Sequence, residues 1–385
     1  MIPRSTLAFL ALFGKCYCLA SPPPLPPKSA IDHYVRSSMD RTQANGLALA
    51  VIDEGKIVHL KAYGLRNARG EPLLTDTVMY GASLTKTVLA YVALQLVDEG
   101  SLALDTPIAN YLARPLPTYP VERRYADWSP LNGDVRWEKI TPRIILTHST
   151  GFANFGFLEP DQKLKIHFEP GSRYGYSGDG ILLLQFAIEK GLKRDVGDLT
   201  RSLFDRLGMH RTSLIWKKEF AHNLADGWDS EGKAHPHDER SSVRAAGSMD
   251  TTIADLATFA AALVRGDGLS RASRKELSRP QLSITQAHQF PTLAAELPPE
   301  KRRPDLQAGL GVVVFEGPQG RGFFKGGHNE ITGNTLVCLE GSQRAVLILA
   351  NDVRAEAAFE DLVRFILGET GVPYDWEYGQ HAGKS

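Results

Sequence analysis

The sequence is poor in cysteine, with only Cys16, Cys18 and Cys338 in 385 residues. Two of these lie within the first twenty residues, MIPRSTLAFLALFGKCYCLA, which read as a secretory signal. Arg4 gives a basic start, Leu7 to Phe13 a short apolar run, and Cys18-x-Ala20 a small-residue cleavage site. Removal of residues 1–20 leaves Cys338 alone, which excludes an intrachain disulfide or a cysteine-held metal cluster, so the core must hold the fold. Charge of neither sign is in excess, 44 Lys and Arg against 44 Asp and Glu, so neither a basic face for nucleic acid nor an acidic tail is expected. Beyond the signal no apolar run is long enough to span a membrane. The histidines lack H-E-x-x-H spacing, and neither metal nor cofactor is expected. A secreted or periplasmic protein follows as the expectation.

What is present is enough apolar residue, 43% of the chain, to bury a large core in one large or two interleaved domains. Residues 21–30, from SPPPLPPKS, read as an extended Pro-rich linker. A helix is expected near Ile31 to Ser38. GLALAVIDEGKIVHLKAYGLRN then reads as two strands around a turn at Asp53-Glu54-Gly55. The middle is helical, including a helix over 83–99 and LLLQFAIEKGL over 182–192. The last eighty residues return to strand patterns in LGVVVFEG, RGFFKGG, TLVCLEG and RAVLILAND, then close on an amphipathic helix, AEAAFEDLVRFILGE. Strands at both ends with helices between predict an α/β (α+β) fold, one sheet built from about 31–80 and 305–370 with 81–304 inserted as a mostly helical part. Residues 371–385 are read as a tail. Two irregular Pro-rich segments, 115–135 and 280–305, are expected to border a cleft.

The chemistry begins at YGASLTKTVLAYVALQLVDEG, residues 80 to 100. Lys86 lies one turn after Ser83, on the same helix face. A lysine entering a packed helix is costly unless its charge is paired or lost. A serine hydroxyl is a weak nucleophile until a base takes its proton, and a lysine is such a base when burial or a nearby cation depresses its pKa. By itself S-x-x-K is a weak signal, and a surface lysine at a helix end is its bland alternative. Further along, PGSRYGYSGDGILLLQFAIE presents Tyr176 on a loop before a helix. There a tyrosine can shuttle protons if a nearby ammonium lowers its pKa, or simply pack at a core edge. In GFFKGGHNE, Lys325 ends a strand, and the following glycines let a substrate backbone approach the strand edge. His148, in THSTG, reads as a structural hydrogen-bonding residue.

These segments resemble the serine β-lactamase and penicillin-binding-protein superfamily, in particular its class C branch of D-Ala carboxypeptidases, β-lactamases and related esterases. Ser83-Leu84-Thr85-Lys86 matches S-x-x-K, Tyr176-Ser177-Gly178 resembles Y-x-N, and Lys325-Gly326-Gly327 resembles K-T-G. GSLALDTPIANYL, ITPRIILTHSTGF, LGMHRTS and AAGSMDTTIADLATFA are similar as well. His328-Asn329-Glu330 offers an H-x-G register as an alternative third motif. It puts Glu330 where glycine is needed, and the lysine register runs without a gap into LILAND, ending at Asn351.

The resemblance implies a β-lactamase/transpeptidase-like fold and a Ser83 acyl-enzyme. Lys86 and Tyr176 would handle the proton and Lys325 would orient the tyrosine and the substrate's anionic end. The backbone N–H groups of Ser83 and His328 would form the oxyanion hole, with Gly178, Gly326, Gly327 and Asn351 near the substrate. Gly178 stands where the family usually has asparagine, and Gly326 replaces a threonine or serine hydroxyl. Both losses remove polar contacts suited to penicillins and D-Ala-D-Ala peptides. The expected activity is therefore hydrolysis of an ester or amide in a small-molecule or peptide substrate, esters before peptides. A slow-turnover penicillin sensor and a scaffold protein are the alternatives.

Overall fold

The structure, a computed structural model, describes residues 22–379. The expected signal and the first linker residue lie outside the described residues. In chain order the helices are α1 (Lys28–Thr42), α2 (Leu84–Asp98), α3 (Pro142–Leu146), α4 (Gly178–Phe186), α5 (Val196–Leu207), α6 (Ile253–Arg265), α7 (Arg271–Ser278), α8 (Phe359–Leu367) and α9 (Tyr374–Tyr378). The strands are β1 (Gly46–Asp53), β2 (Lys56–Gly64), β3 (Met79–Tyr80), β4 (Gly227–Trp228), β5 (Ala234–His235), β6 (Asp250–Thr251), β7 (Leu282–Ser283), β8 (Leu306–Ala308), β9 (Val313–Gly317), β10 (Gly320–Asn329), β11 (Thr332–Leu339) and β12 (Arg344–Ala350).

Eight strands form one antiparallel sheet in the order β2-β1-β12-β11-β10-β9-β8-β7, so the N-terminal hairpin joins the C-terminal strands as expected. Leu47 faces Ala350 and Ile52 faces Ala345 across that junction. Helices cover both faces. Side chains alternate along a strand, so Ala48, Ala50 and Ile52 pack toward the core of α2 and α6. Leu47, Leu49 and Val51 pack toward α1 and α8. This two-sided burial is why GLALAVID and RAVLILA are apolar throughout rather than alternating.

Helix α2 is buried on nearly every side, which explains its near-continuous apolar sequence. Three boundaries differ from the sequence reading. Helix α1 starts at Lys28, inside the stretch read as linker. Strand β7 extends the main sheet from within the inserted region. The stretch read as a tail contains α9, whose Tyr374, Trp376, Glu377 and Tyr378 are buried; aromatic packing on the sheet end holds it.

Candidate active site

The first turn of α2 is fixed before any catalytic group is considered. Gly81 N–H donates to the Met249 carbonyl (2.8 Å), and Thr85 Oγ1 donates to the Ala82 carbonyl (2.5 Å) while accepting from Met249 N–H (3.2 Å). Ala82 is held at φ +46°, a left-handed conformation that costs a non-glycine residue about 1–3 kcal/mol. The next residue, Ser83, is thereby presented at the helix start. Among the described residues no hydrogen bond uses the Ser83 N–H, one of the free donors at a helix N-terminus.

Two groups converge on the serine oxygen. Lys86 Nζ lies 3.0 Å from Ser83 Oγ, and the Tyr176 hydroxyl donates to it at 2.8 Å. Lys86 is 2% exposed and also donates to the Ala246 carbonyl. Burial, then the charge of Lys325, pushes its pKa well below that of an ordinary lysine, with Glu377 pulling the other way. The amine is therefore suited to take a proton.

Tyr176 departs from the sequence reading. Burial raises its phenol pKa, outweighing the opposing hydrogen bond to Ser83, so it stays protonated and is suited to give a proton rather than to start as phenolate. The Lys86 and Lys325 Nζ atoms lie 5.0 and 5.1 Å from the centre of its ring. His148 and Phe290 pack on that ring. His148 Nδ1 accepts the Ser177 N–H (3.2 Å), while burial and the two lysines hold its pKa well below the usual value. It orders the loop that carries Tyr176.

Lys325, also buried, donates to the Gly326 carbonyl at 2.6 Å. Strand β9 pairs with β10 only from Gly320 to Phe324, which leaves the edge of β10 from Lys325 onward open on that side. A Cβ at Gly327 would lie 3.0 Å from the backbone nitrogens of Ser83 and Leu84, so the strand backbone runs against the start of α2. His328 follows at the cleft. Burial opposes charge on its ring, but the hydrogen bond and charge of Glu356, with Glu377, raise its pKa.

The remaining expected residues divide. Gly178 sits under Phe155, and its N–H donates to Asn154 Oδ1 (3.0 Å). An amide side chain thus stands beside the position that lacks one, supplied by another loop. Asn351 does not line the cleft. Its Nδ2 donates to the carbonyls of Leu65, Arg66 and Asp226 at 3.0–3.3 Å, which makes it a tie between loops rather than a substrate contact.

The cleft has a volume of about 1030 Å³ and takes in Ser83, Lys86, Tyr176 and His328. Asn154, Phe155, Phe290 and Glu377 also line it, and the sequence reading named none of them. Of the two segments expected at its border, 280–305 contributes His288 and Phe290. Segment 115–135 instead turns Tyr125 and Trp128 inward against Phe186. Among the described residues no group of three or more His, Cys, Asp or Glu side chains could hold a metal ion, and no helix is long and apolar enough to cross a membrane.

Comparison with known proteins places the chain as a whole. Lovastatin esterase of Penicillium rubens is 32% identical over 134 residues, 34% of this chain and 33% of that protein. Esterase EstB of Burkholderia gladioli is 33% identical over 153 residues, 39% of this chain and 33% of its own. The match thus spans about a third of the length of these relatives. Among solved structures, D-alanine carboxypeptidase AmpC from Burkholderia cenocepacia shares the fold, with a TM-score of 0.68 at 18% identity over 89% of this chain and 99% of that one. The sequence model named Beta-lactamase matches residues 31–369. With most of its length matched, the chain belongs to the beta-lactamase family.

Proposed function

We propose that the chain is a serine hydrolase that cleaves ester or amide bonds through a Ser83 acyl-enzyme. The observation that carries this reading is the meeting of Lys86 Nζ and the Tyr176 hydroxyl on one serine oxygen, at 3.0 and 2.8 Å. Lys86 takes the Ser83 proton as the oxygen attacks the carbonyl. The backbone N–H groups of Ser83 and His328 receive the developing oxyanion, an interaction whose loss costs about 2.7–4 kcal/mol in comparable sites. Tyr176 gives its proton to the departing oxygen or nitrogen. The ammonium left on Lys86 and the phenolate left on Tyr176 face each other across the Ser83 oxygen, so one proton transfer restores both. Water then enters where the leaving group was, and the same groups release the acyl chain.

Esters are the favoured substrates in this reading. Gly178 and Gly326 lack the polar contacts that the family resemblance links to β-lactams and D-Ala peptides, and two relatives are named esterases. Phe157 and Leu158 stand exposed at the cleft, where they offer apolar surface to an acyl chain. The protein acts outside the cytoplasm in this proposal, on the strength of the signal-like residues 1–20; the N-terminus of the exported protein at Ser21 would test that.

The decisive experiment offers the purified protein short-chain p-nitrophenyl esters, a chromogenic cephalosporin and a D-Ala-D-Ala peptide in parallel, with Ser83→Ala as control. Ester turnover should exceed peptide turnover and vanish in the variant. Hydrolysis of all three left unchanged by Ser83→Ala would end the proposal.

A further inference from the structure

The resemblance puts a serine or threonine hydroxyl at position 326, next to the substrate's carboxylate. In this chain a carboxylate fills that space. A Cβ at Gly326 would lie 2.1 Å from Glu377 Oε1, 2.8 Å from its Cδ and 2.8 Å from the Tyr378 hydroxyl oxygen. Glycine at 326 and glutamate at 377 are thus a matched pair.

Three observations give Glu377 a task toward substrate. Its side chain lines the cleft, yet the residue is only 5% exposed. Among the described residues no hydrogen bond or close ion pair ends on its carboxylate, although its charge is felt by Lys86, Lys325 and His328, so a buried anion faces the cleft with no partner in direct contact. Lys325, the cation that would attract an anionic substrate, does not line the cleft and donates to its own chain at the Gly326 carbonyl. The charge that α9 presents beside the strand edge is therefore negative, where the resemblance expects the positive charge of Lys325.

The carboxylate is also firmly placed. The Tyr378 hydroxyl donates to the Asn334 carbonyl at 2.9 Å, and the Trp376 carbonyl accepts the Gln289 N–H at 3.0 Å. The Trp376 ring packs edge-on to Tyr174, with centroids 5.7 Å apart. These contacts fix α9 on both sides of Glu377.

We propose that Glu377 is the specificity residue of this cleft: it recognises a cationic group, such as an ammonium, on the leaving portion of the substrate and turns carboxylate-bearing leaving groups away. This rests on the hydrolase reading above and names its substrate class. Selectivity here comes as much from repulsion of the wrong charge as from attraction of the right one.

The test compares phenyl acetate with its meta-trimethylammonio and meta-carboxy analogues, which share one acyl group and differ in leaving-group charge. The expected order of kcat/KM is cationic above neutral above anionic, with at least about tenfold between the ends, since unit charges at contact in a partly buried site interact strongly. In Glu377→Gln the ratio of anionic to neutral kcat/KM should rise at least about threefold and the cationic advantage should disappear. Equal rates for all three esters in the unaltered protein would overturn the proposal. So would a change in Glu377→Gln that moves all three alike, the result expected of a mere counter-ion for the lysines. A failed hydrolase reading looks different: no ester is turned over at all. The filter is then read with phenylboronic acid and its meta-carboxy analogue, whose boron accepts the Ser83 oxygen as the hydroxyl proton passes to Lys86. Weaker binding of the carboxylate analogue, relieved in Glu377→Gln, supports the proposal, and equal binding overturns it.

Discussion

Phe155 occupies the space above Gly178: a Cβ there would lie 2.4 Å from two carbons of its ring. The pair accounts for the missing asparagine of the second motif. Gly178→Asn should therefore cost about 1–3 kcal/mol through overpacking and give no cephalosporin turnover. Gly178→Asn combined with Phe155→Ala should recover the stability and raise that turnover. Denaturant midpoints and a chromogenic assay check both; a gain from the single change would contradict this account.

Lys86→Met and Tyr176→Phe separate base from acid. Each is expected to lower kcat by about 10²–10⁴, the usual weight of positioned proton transfer. Tyr176→Phe should be milder on substrates whose leaving group needs no proton, such as p-nitrophenol, than on alkyl esters. A uniform loss on both would remove Tyr176 from the role of acid.

The charges around Lys86 predict opposite pH shifts. Activity on a neutral ester should rise with pH as Lys86 loses its proton, with the limb well below the range of ordinary lysines. Lys325 disfavours a second positive charge, so Lys325→Met should move that limb to higher pH. Glu377 favours the charge, so Glu377→Gln should move it to lower pH. Profiles of kcat/KM against pH check the directions.

Asp179 is buried, and burial raises its carboxyl pKa to about 6 despite a hydrogen bond from Gly156 N–H. The folded state then holds this proton more tightly than the unfolded state. Stability attributable to the group is kept at low pH and lost as pH rises from its ordinary value of 3.8 through about 6. Asp179→Asn should accordingly stabilise by up to about 3 kcal/mol above that window and by little below it. Thermal unfolding at pH 4 and pH 8 gives the comparison.

Asn351→Ala should cost about 1–3 kcal/mol by orphaning the carbonyls it bridges, with KM unchanged. A raised KM at unchanged stability would return Asn351 to the substrate.

The sequence was most legible where structure follows local pattern. Strands β9 to β12 stood out as apolar runs between turns, and Ser83 with Lys86 because one helical turn carries both. Tyr176 and Lys325 were candidates from their own loop and strand end, but the resemblance alone joined them to Ser83, since nothing local ties them to it. Position 351 was misread because a strand end can border a cleft or anchor loops. The absence of a side chain at Gly46, whose Cβ would meet Asn351 Oδ1 at 2.1 Å, decided for the anchor. Glu377 left no local signal. Its importance depends on Gly326, some fifty positions earlier, and only packing of α9 reveals the pairing.

The junction of β1 with β12 also governs when this protein becomes competent. Leu47 must find Ala350 across nearly the whole domain, a closure that is slow because its entropic cost is met before its contacts form. Ser83 follows the first of these strands and Lys325 precedes the second, so nucleophile and cation must themselves close a gap of similar length to meet. On refolding, helical signal should recover first, and acylation of Ser83 should return with the slowest phase.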